Sequence, residues 1–250
     1  MSGRDEWHAL AAYTPARIAL GRVGNGLPVA RVLEFQLAHA RARDAVHAAF
    51  EARRVADELG SADTLLLNTL ARDRESYLLN PDAGRRLDAP SQATLQRGRY
   101  DAALVIADGL SATAIHRHGA QLARLILAGH PELKWAPVTI VRGGRVAIGD
   151  EIAQVLGAEL CVVLIGERPG LTASDSIGIY VTFAPRSGGT TDAERNCISN
   201  VRPGGLELED AAHRLSWLLT EARRLRLTGV ALKEDASDLR GIADTAKLSQ

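Results

Sequence analysis

The chain has 250 residues, a mass of 26.7 kDa and thirty Lys and Arg against thirty Asp and Glu, so its formal net charge is zero. That balance provides no broad basic field for nucleic-acid backbone, and 46% hydrophobic with 24% charged residues is the composition of a globular chain rather than a disordered one. No run of eighteen apolar residues marks a membrane span, the start Met1-Ser-Gly-Arg-Asp-Glu-Trp lacks a secretory apolar stretch, and two cysteines make no disulfide framework, so a cytoplasmic location is expected.

In chain order, Gly21-Arg-Val-Gly-Asn-Gly-Leu-Pro28 reads as a turn-rich entry to a helical run from about Val29 to Leu59, with Leu33, Leu37, Val46 and Phe50 at helical spacing. Ser61 or Asp63 is placed to cap a second helix through Leu65–Leu67 and Leu70. Asn80 to Gln96, rich in Pro, Gly and charge, reads as the connection to a main domain. The chain therefore divides into a helical N-terminal arm and linker over residues 1–97 and an α/β domain over residues 98–250. In the latter, the apolar runs Ala103–Ala107, Val138–Val141, Cys161–Ile165 and Ile177–Phe183 alternate with helical patterns at Ala112–Ala128 and Asp150–Leu156. Such alternation predicts a Rossmann-like, mostly parallel sheet with helices on both faces. Thr191-Asp-Ala-Glu194 has capping-box spacing, which predicts a helix with Cys197 in its second turn and a somewhat lowered thiol pKa beside Arg195. A last helix runs from about Glu207 to Leu227 and is closed by Gly229, and the tail after Lys233 is polar.

Ligands of open parallel sheets bind beyond the carboxyl ends of the strands. Here those ends are Asp108-Gly109-Leu110, Gly143-Gly-Arg-Val146, Gly166-Glu-Arg-Pro-Gly170 and the stretch Arg186 to Cys197. Taken alone, each also reads as an ordinary tight turn, and Glu167 beside Arg168 as a loop ion pair. Gly21-x-x-Gly24-x-Gly26 has the wrong order for a dinucleotide fingerprint and no P-loop exists. His39, Arg43 and His47 share one helix face, but the arginine between them opposes a metal and suggests a polar contact face. His116 and His118, two apart on a helix, face different ways. Cys161, inside an apolar run, reads as a buried small hydrophobe.

Several of these stretches resemble the small (light) subunit of ethanolamine ammonia-lyase. They are Thr14 to Pro28, Phe35 to His47, Ile106-Ala-Asp-Gly-Leu-Ser111, Ile165-Gly-Glu-Arg-Pro-Gly-Leu171 and, longest, Thr191-Asp-Ala-Glu-Arg-Asn-Cys-Ile-Ser-Asn-Val-Arg-Pro203. The similarity runs from about Thr14 to Lys233. It implies one subunit of an adenosylcobalamin-dependent lyase that converts ethanolamine to acetaldehyde and ammonia by a radical route. A large, TIM-barrel subunit would hold the substrate, and this chain would help enclose the cobalamin at the interface between them.

The family's cobalamin contacts match Val146, Glu167 and Cys197, with Asp108, Arg195 and Asn196 as further contacts and with Gly166 and Gly170 expected to let backbone approach the ring. No residue here is read as catalytic and none as a metal ligand. The D-x-H-x-x-G pattern of proteins that place a histidine on cobalt is absent, in keeping with the family's retention of the dimethylbenzimidazole. Packaging of the enzyme in a bacterial microcompartment is a family possibility. Two other readings stay open from the residues themselves: a free-standing Rossmann-like nucleotide-binding enzyme, and a non-catalytic scaffold subunit that binds a partner through its helical arm.

Overall fold

The computed structural model describes residues 6–14, 16–60 and 63–233; Ser61 and the tail after Lys233 lie outside them. The helical run expected over Val29–Leu59 is two helices, α1 (Val29–His47) and α2 (Ala52–Leu59). The break has a physical cause: Phe50 turns into the core at 6% exposure and stacks on His116, whose Nε2 accepts the Glu51 N–H at 3.0 Å. That side-chain acceptor replaces the carbonyl a continuous helix would have offered.

Next comes β1 (Thr64–Asn68), a strand where a second helix was expected. Three consecutive leucines carry no period that separates helix from strand; pairing decides it, residue for residue against Val138–Arg142, after the Val138 N–H has bonded to the Asp63 carbonyl at 2.8 Å. The stretch expected to be a connection is packed structure. It follows α3 (Arg74–Leu79), capped by Asp73 accepting from the Ser76 N–H, and contains α4 (Ala89–Thr94), capped by Asp88 accepting from the Ser91 N–H. Its Leu87 and Leu95 are buried, and the buried Glu151 carboxylate accepts from the Leu87 N–H at 2.9 Å and the Gln92 amide at 2.5 Å.

The rest of the chain supplies β2 (Tyr100–Ala107), α5 (Ala112–Ala114), a π-helical turn (Ile115–Gly119), α6 (Ala120–Gly129), β3 (Val138–Arg142), α7 (Ile148–Leu156), β4 (Ala158–Gly166), β5 (Ile177–Phe183), β6 (Arg195–Val201) and α8 (Leu208–Leu225). Arg226, in a left-handed conformation at φ 57°, ends α8 before the expected Gly229 is reached.

The six strands form one sheet in the order β1-β3-β2-β4-β5-β6. The first four are parallel, whereas β5 and β6 run antiparallel to their neighbours. The sheet is therefore mixed rather than mostly parallel. Residues 167–176 and 184–194 join β4 to β5 and β5 to β6, and neither segment contains an α-helix. A parallel return needs a crossover of about a dozen residues or more, in practice a helix. Side chains alternate between two apolar layers. Leu104, Ile106, Ile140, Leu160 and Val162 pack under α2, α6 and α8, and Val105, Val141, Cys161 and Val163 pack under α7, so helices do cover both faces.

The capping-box residues at Thr191 close only a single 3-10 turn (Asp192–Glu194): the Glu194 carboxylate accepts from Thr191 N–H at 2.8 Å and Oγ1 at 2.9 Å. With the Thr191 bonds first and Arg186 second, the Glu194 carboxyl is lowered to about 2. Helix growth stops there because Arg195 is drawn inward. Its Nη1 and Nη2 donate to the two Asp150 carboxylate oxygens at 2.7 and 2.6 Å, and Nη1 also donates to Thr182 Oγ1 at 3.1 Å. The two side chains are 3% and 2% exposed. Cutting either partner leaves a buried charge alone, so Arg195→Ala or Asp150→Ala is expected to cost about 3–5 kcal/mol in chemical denaturation, whereas the apolar pair Arg195→Met with Asp150→Leu costs little.

Candidate functional site

Adjacent strands β3 and β2 lead into helices on opposite faces of the sheet, α7 on one and α5–α6 on the other. Loops that part in this way open a crevice at the carboxyl ends of the strands. Asp108 occupies it. One carboxylate oxygen accepts the Gly143 N–H at 2.7 Å, the other faces Arg74 Nη2 at 3.2 Å, and Arg74 Nη1 donates to the Gly109 carbonyl at 2.6 Å. Burial pushes the Asp108 carboxyl up to about 6 against the opposing pull of Arg74 and the amide.

Beside this crevice, on the α7 side, lies a cleft of about 440 Å³. Val146, Leu110 and Ile165 provide apolar wall, Tyr180 stands across from them, and Glu167 and Arg145 supply charge at the rim. Tyr77 is sandwiched between two guanidinium groups, Arg145 at 4.4 Å and Arg74 at 5.0 Å from its ring centroid. The Arg145 Nη2 donates to the Tyr77 carbonyl at 2.7 Å, while its buried Nε has no hydrogen-bond partner. Burial raises the Tyr77 hydroxyl to about 12.

Of the three site residues expected from the sequence, Val146 and Glu167 line this cleft, and Cys197 pairs across the β5–β6 ladder with Tyr180, which lines it too. Glu167 is not held by Arg168: its carboxylate accepts the Asn200 N–H, with oxygens at 3.1 and 3.3 Å. Gly178 makes room for it, since a Cβ there would stand 3.2 Å from Glu167 Oε1. Cys197 lies on a strand, not in a helix turn, and Arg195 is committed to Asp150. Its thiol pKa is raised rather than lowered, chiefly by desolvation, with the Tyr180 hydroxyl bond pulling the other way. The expected lowering of the thiol pKa is therefore absent.

The three further candidates are held by contacts within the chain, although the buried Arg195 Nε has no hydrogen-bond partner. Asp108 and Arg195 are buried as described, and the Asn196 side chain accepts from the Gly229 N–H at 2.7 Å and donates to the Leu232 carbonyl at 2.8 Å. Gly166 serves the fold itself. A Cβ there would lie 2.2 Å from the Ser111 carbonyl oxygen and 2.5 Å from that of Asp108, and one on Gly109 would lie 2.3 Å from the Gly166 carbonyl oxygen. Gly170 has only ordinary contacts, with Ala173 at 3.5 Å. His116 and His118 do face different ways: His116 meets Phe50 and Glu51, and His118 lies 3.5 Å from the Asp175 carboxylate.

Sequence reasoning missed Tyr180, Arg145 and Tyr77. Tyr180 is mid-strand, and only the β5–β6 register puts it beside Cys197; Tyr77 reaches the cleft from α3, outside the strand-end loops. An apolar wall with one carboxylate, Glu167, and two guanidinium groups, Arg145 and Arg168, around it suits the edge of a broad ligand bearing amide or hydroxyl groups.

Fold and cleft together define an α/β protein with a mixed six-stranded sheet and a cleft at the carboxyl ends of its parallel strands. The family model of the ethanolamine ammonia-lyase light chain matches residues 4–233. Curated relatives described as ethanolamine ammonia-lyase small subunits include those of Azotobacter vinelandii, 53% identical over 243 residues (93% of this chain, 89% of the relative), and Xanthomonas campestris pv. campestris, 52% over 244 residues (93% and 89%). That of Ralstonia nicotianae is 52% identical over 243 residues (93% and 90%). The chain belongs to the ethanolamine ammonia-lyase light-chain family, and as a small subunit it is part of a lyase built with a partner subunit. Among the described residues no helix is long and apolar enough to cross a membrane.

Two measurements test the electrostatics of the site. Carboxyl NMR titration is expected to place Asp108 near pH 6, and Arg74→Met should raise it further by removing the opposing cation. The folded state keeps a proton that an unfolded carboxyl, near 3.8, releases. This group therefore favours the folded state fully below about pH 4, and that contribution is lost as pH rises through about 6. Second, alkylation of the native chain should label the exposed Cys197 and spare the buried Cys161. Tyr180→Phe, which deletes a hydrogen bond to the thiolate, should move the alkylation midpoint to higher pH.

Proposed function

We propose that this cleft receives one edge of adenosylcobalamin and that a large subunit covers the rest of the cofactor, the pair converting ethanolamine to acetaldehyde and ammonia. The observation that carries this reading is convergence: Val146 after β3, Glu167 after β4 and Cys197 on β6, three distant segments, meet around one cleft through Tyr180. The residues present suit such a cofactor. Val146, Leu110 and Ile165 offer apolar area to a ring face, Glu167 accepts from amide or hydroxyl donors, and the partnerless Arg145 Nε is a donor for a ligand oxygen.

The chemistry that adenosylcobalamin supplies when bound is homolysis of its cobalt–carbon bond, the source of the radical that takes hydrogen from the substrate. This chain's residues bind and orient. Glu167, anchored by the Asn200 N–H, fixes the direction of its free lone pairs, and Cys197 with Tyr180 forms a compact wall whose thiol stays protonated. Substrate handling falls to the large subunit, as the family resemblance implies. The loops assigned to the cofactor all lie within residues 98–250, and the projecting helix α1 lies before residue 97. The location consistent with two free cysteines is the cytoplasm, and packaging in a microcompartment would be a property of the assembled enzyme.

Co-purification with the large subunit followed by a visible corrinoid spectrum tests the proposal. Wild type should retain cobalamin. Glu167→Ala should weaken retention by about tenfold, the value of one charge-assisted hydrogen bond, with only the small drop in melting temperature that loss of the Asn200 bond brings. Retention equal to wild type in that variant would remove Glu167 from the site.

A further inference from the structure

Helix α1 is unlike the other long helices. Its 19 residues span about 28 Å, yet only Ala45, in the last turn, is buried. Val29, Leu33 and Leu37 recur at i, i+4 and i+8 with exposures of 74%, 58% and 52%, and Leu27 from the preceding turn adds to the same end. Phe35, itself exposed, stacks on His39 with centroids 6.3 Å apart and lies under the Arg17 guanidinium at 5.4 Å. Apolar side chains thus occupy more than one face of a helix that the rest of the described chain leaves uncovered. A helix that lies on a bilayer is apolar on one face and polar on the other; one that is apolar on several faces is made to be enclosed by protein.

The charge and the position of the arm identify its partner. Residues 16–47 carry five arginines (Arg17, Arg22, Arg31, Arg41, Arg43) against Glu34 and Asp44, a net of +3 without the histidines. Two arms of this charge repel, which disfavours a second copy of the chain, and the groove that fits them is apolar with carboxylates along its border. The root of the arm lies at the carboxyl edge of the sheet: His47, Ala48 and Phe50 line a cleft of about 290 Å³ together with Asp108 and Gly143. A body that covers the Val146–Glu167 cleft stands within reach of the helix that leaves the same edge.

We infer that α1 is a clamp that inserts into an apolar, acid-bordered groove of the large subunit, the same subunit that covers the cleft. This inference rests on the two-subunit reading above, and the test separates the two. Full-length chain is co-expressed with the tagged large subunit as wild type, as Leu33→Asp with Leu37→Asp, as Arg41→Glu with Arg43→Glu, and as Glu167→Ala. Because the arm positions are exposed, the arm variants should keep the wild-type melting temperature.

The leucine variant is expected to lose at least about tenfold in affinity for the large subunit, the loss that marks central apolar anchors. The arginine variant should bind more weakly and lose the salt dependence of wild type. Glu167→Ala should stay associated while losing corrinoid. If wild type co-purifies and the leucine variant does so equally well, the clamp is overturned and the two-subunit reading stands. If wild type itself fails to co-purify, both fall. The clamp is also overturned if the leucine substitutions instead abolish self-association of the isolated chain, or its binding to vesicles containing anionic lipid.

Discussion

The bidentate contact between Arg195 and Asp150 is the constraint on which the site depends. It reaches from the first residue of β6 to the first turn of α7, through the layer under that helix, and Thr182 on β5 completes it. Each ion alone would cost several kcal/mol to bury. Together, in fork geometry, they hold β6 in register against β5. That register is what sets Cys197 opposite Tyr180 and carries Asn200 to the Glu167 carboxylate. Freed from Asp150, β6 would lose the tie that fixes it to α7, and the cleft would lose the support of its far wall.

This is also why the sequence is readable in some places and not in others. The parallel strands β2, β3 and β4 announce themselves as short apolar runs because both of their faces are covered, and Gly157 marks the end of α7 through its left-handed conformation at φ +77°. The strand-end loops bearing Val146 and Glu167 follow from that order. The failures share a cause: they depend on a partner distant in sequence. Thr64–Asn68 is a strand because β3 lies beside it, residues 195–201 are a strand because Asp150 holds Arg195, and β5 turns back because its connection is too short to cross over. Capping residues at Thr191 state a local preference, and a buried ion pair overrides it. Tyr180 was invisible for the same reason, since nothing in Ile177–Phe183 says which side chain meets β6.

The carboxyl edge has a division within it. The Arg74–Tyr77–Arg145 stack stands between the cleft at the root of α1 and the cleft of Val146 and Glu167, and both open at the ends of the same parallel strands. Asp108 supports this partition from beneath, tying the β2 turn to the β3 turn through Gly143 and to α3 through Arg74. One side is framed by the arm's root with Asp73, Asp108 and three arginines, the other by Val146, Leu110 and Ile165 with Glu167, Arg145 and Arg168, so one sheet edge presents two separate surfaces.

The meeting of Gly109 with Gly166 has a consequence for recognition. Backbone fills the space that each missing side chain leaves, so the turn after β2 and the end of β4 behave as one stiff body with no slack to take up. A guest arriving there finds the floor already in its final shape and spends little conformational entropy on ordering it. The adaptation that remains belongs to the side chain of Arg168 and to whatever closes from outside. On the proposed reading, selectivity at this edge is a matter of pre-organisation, set when the chain folds.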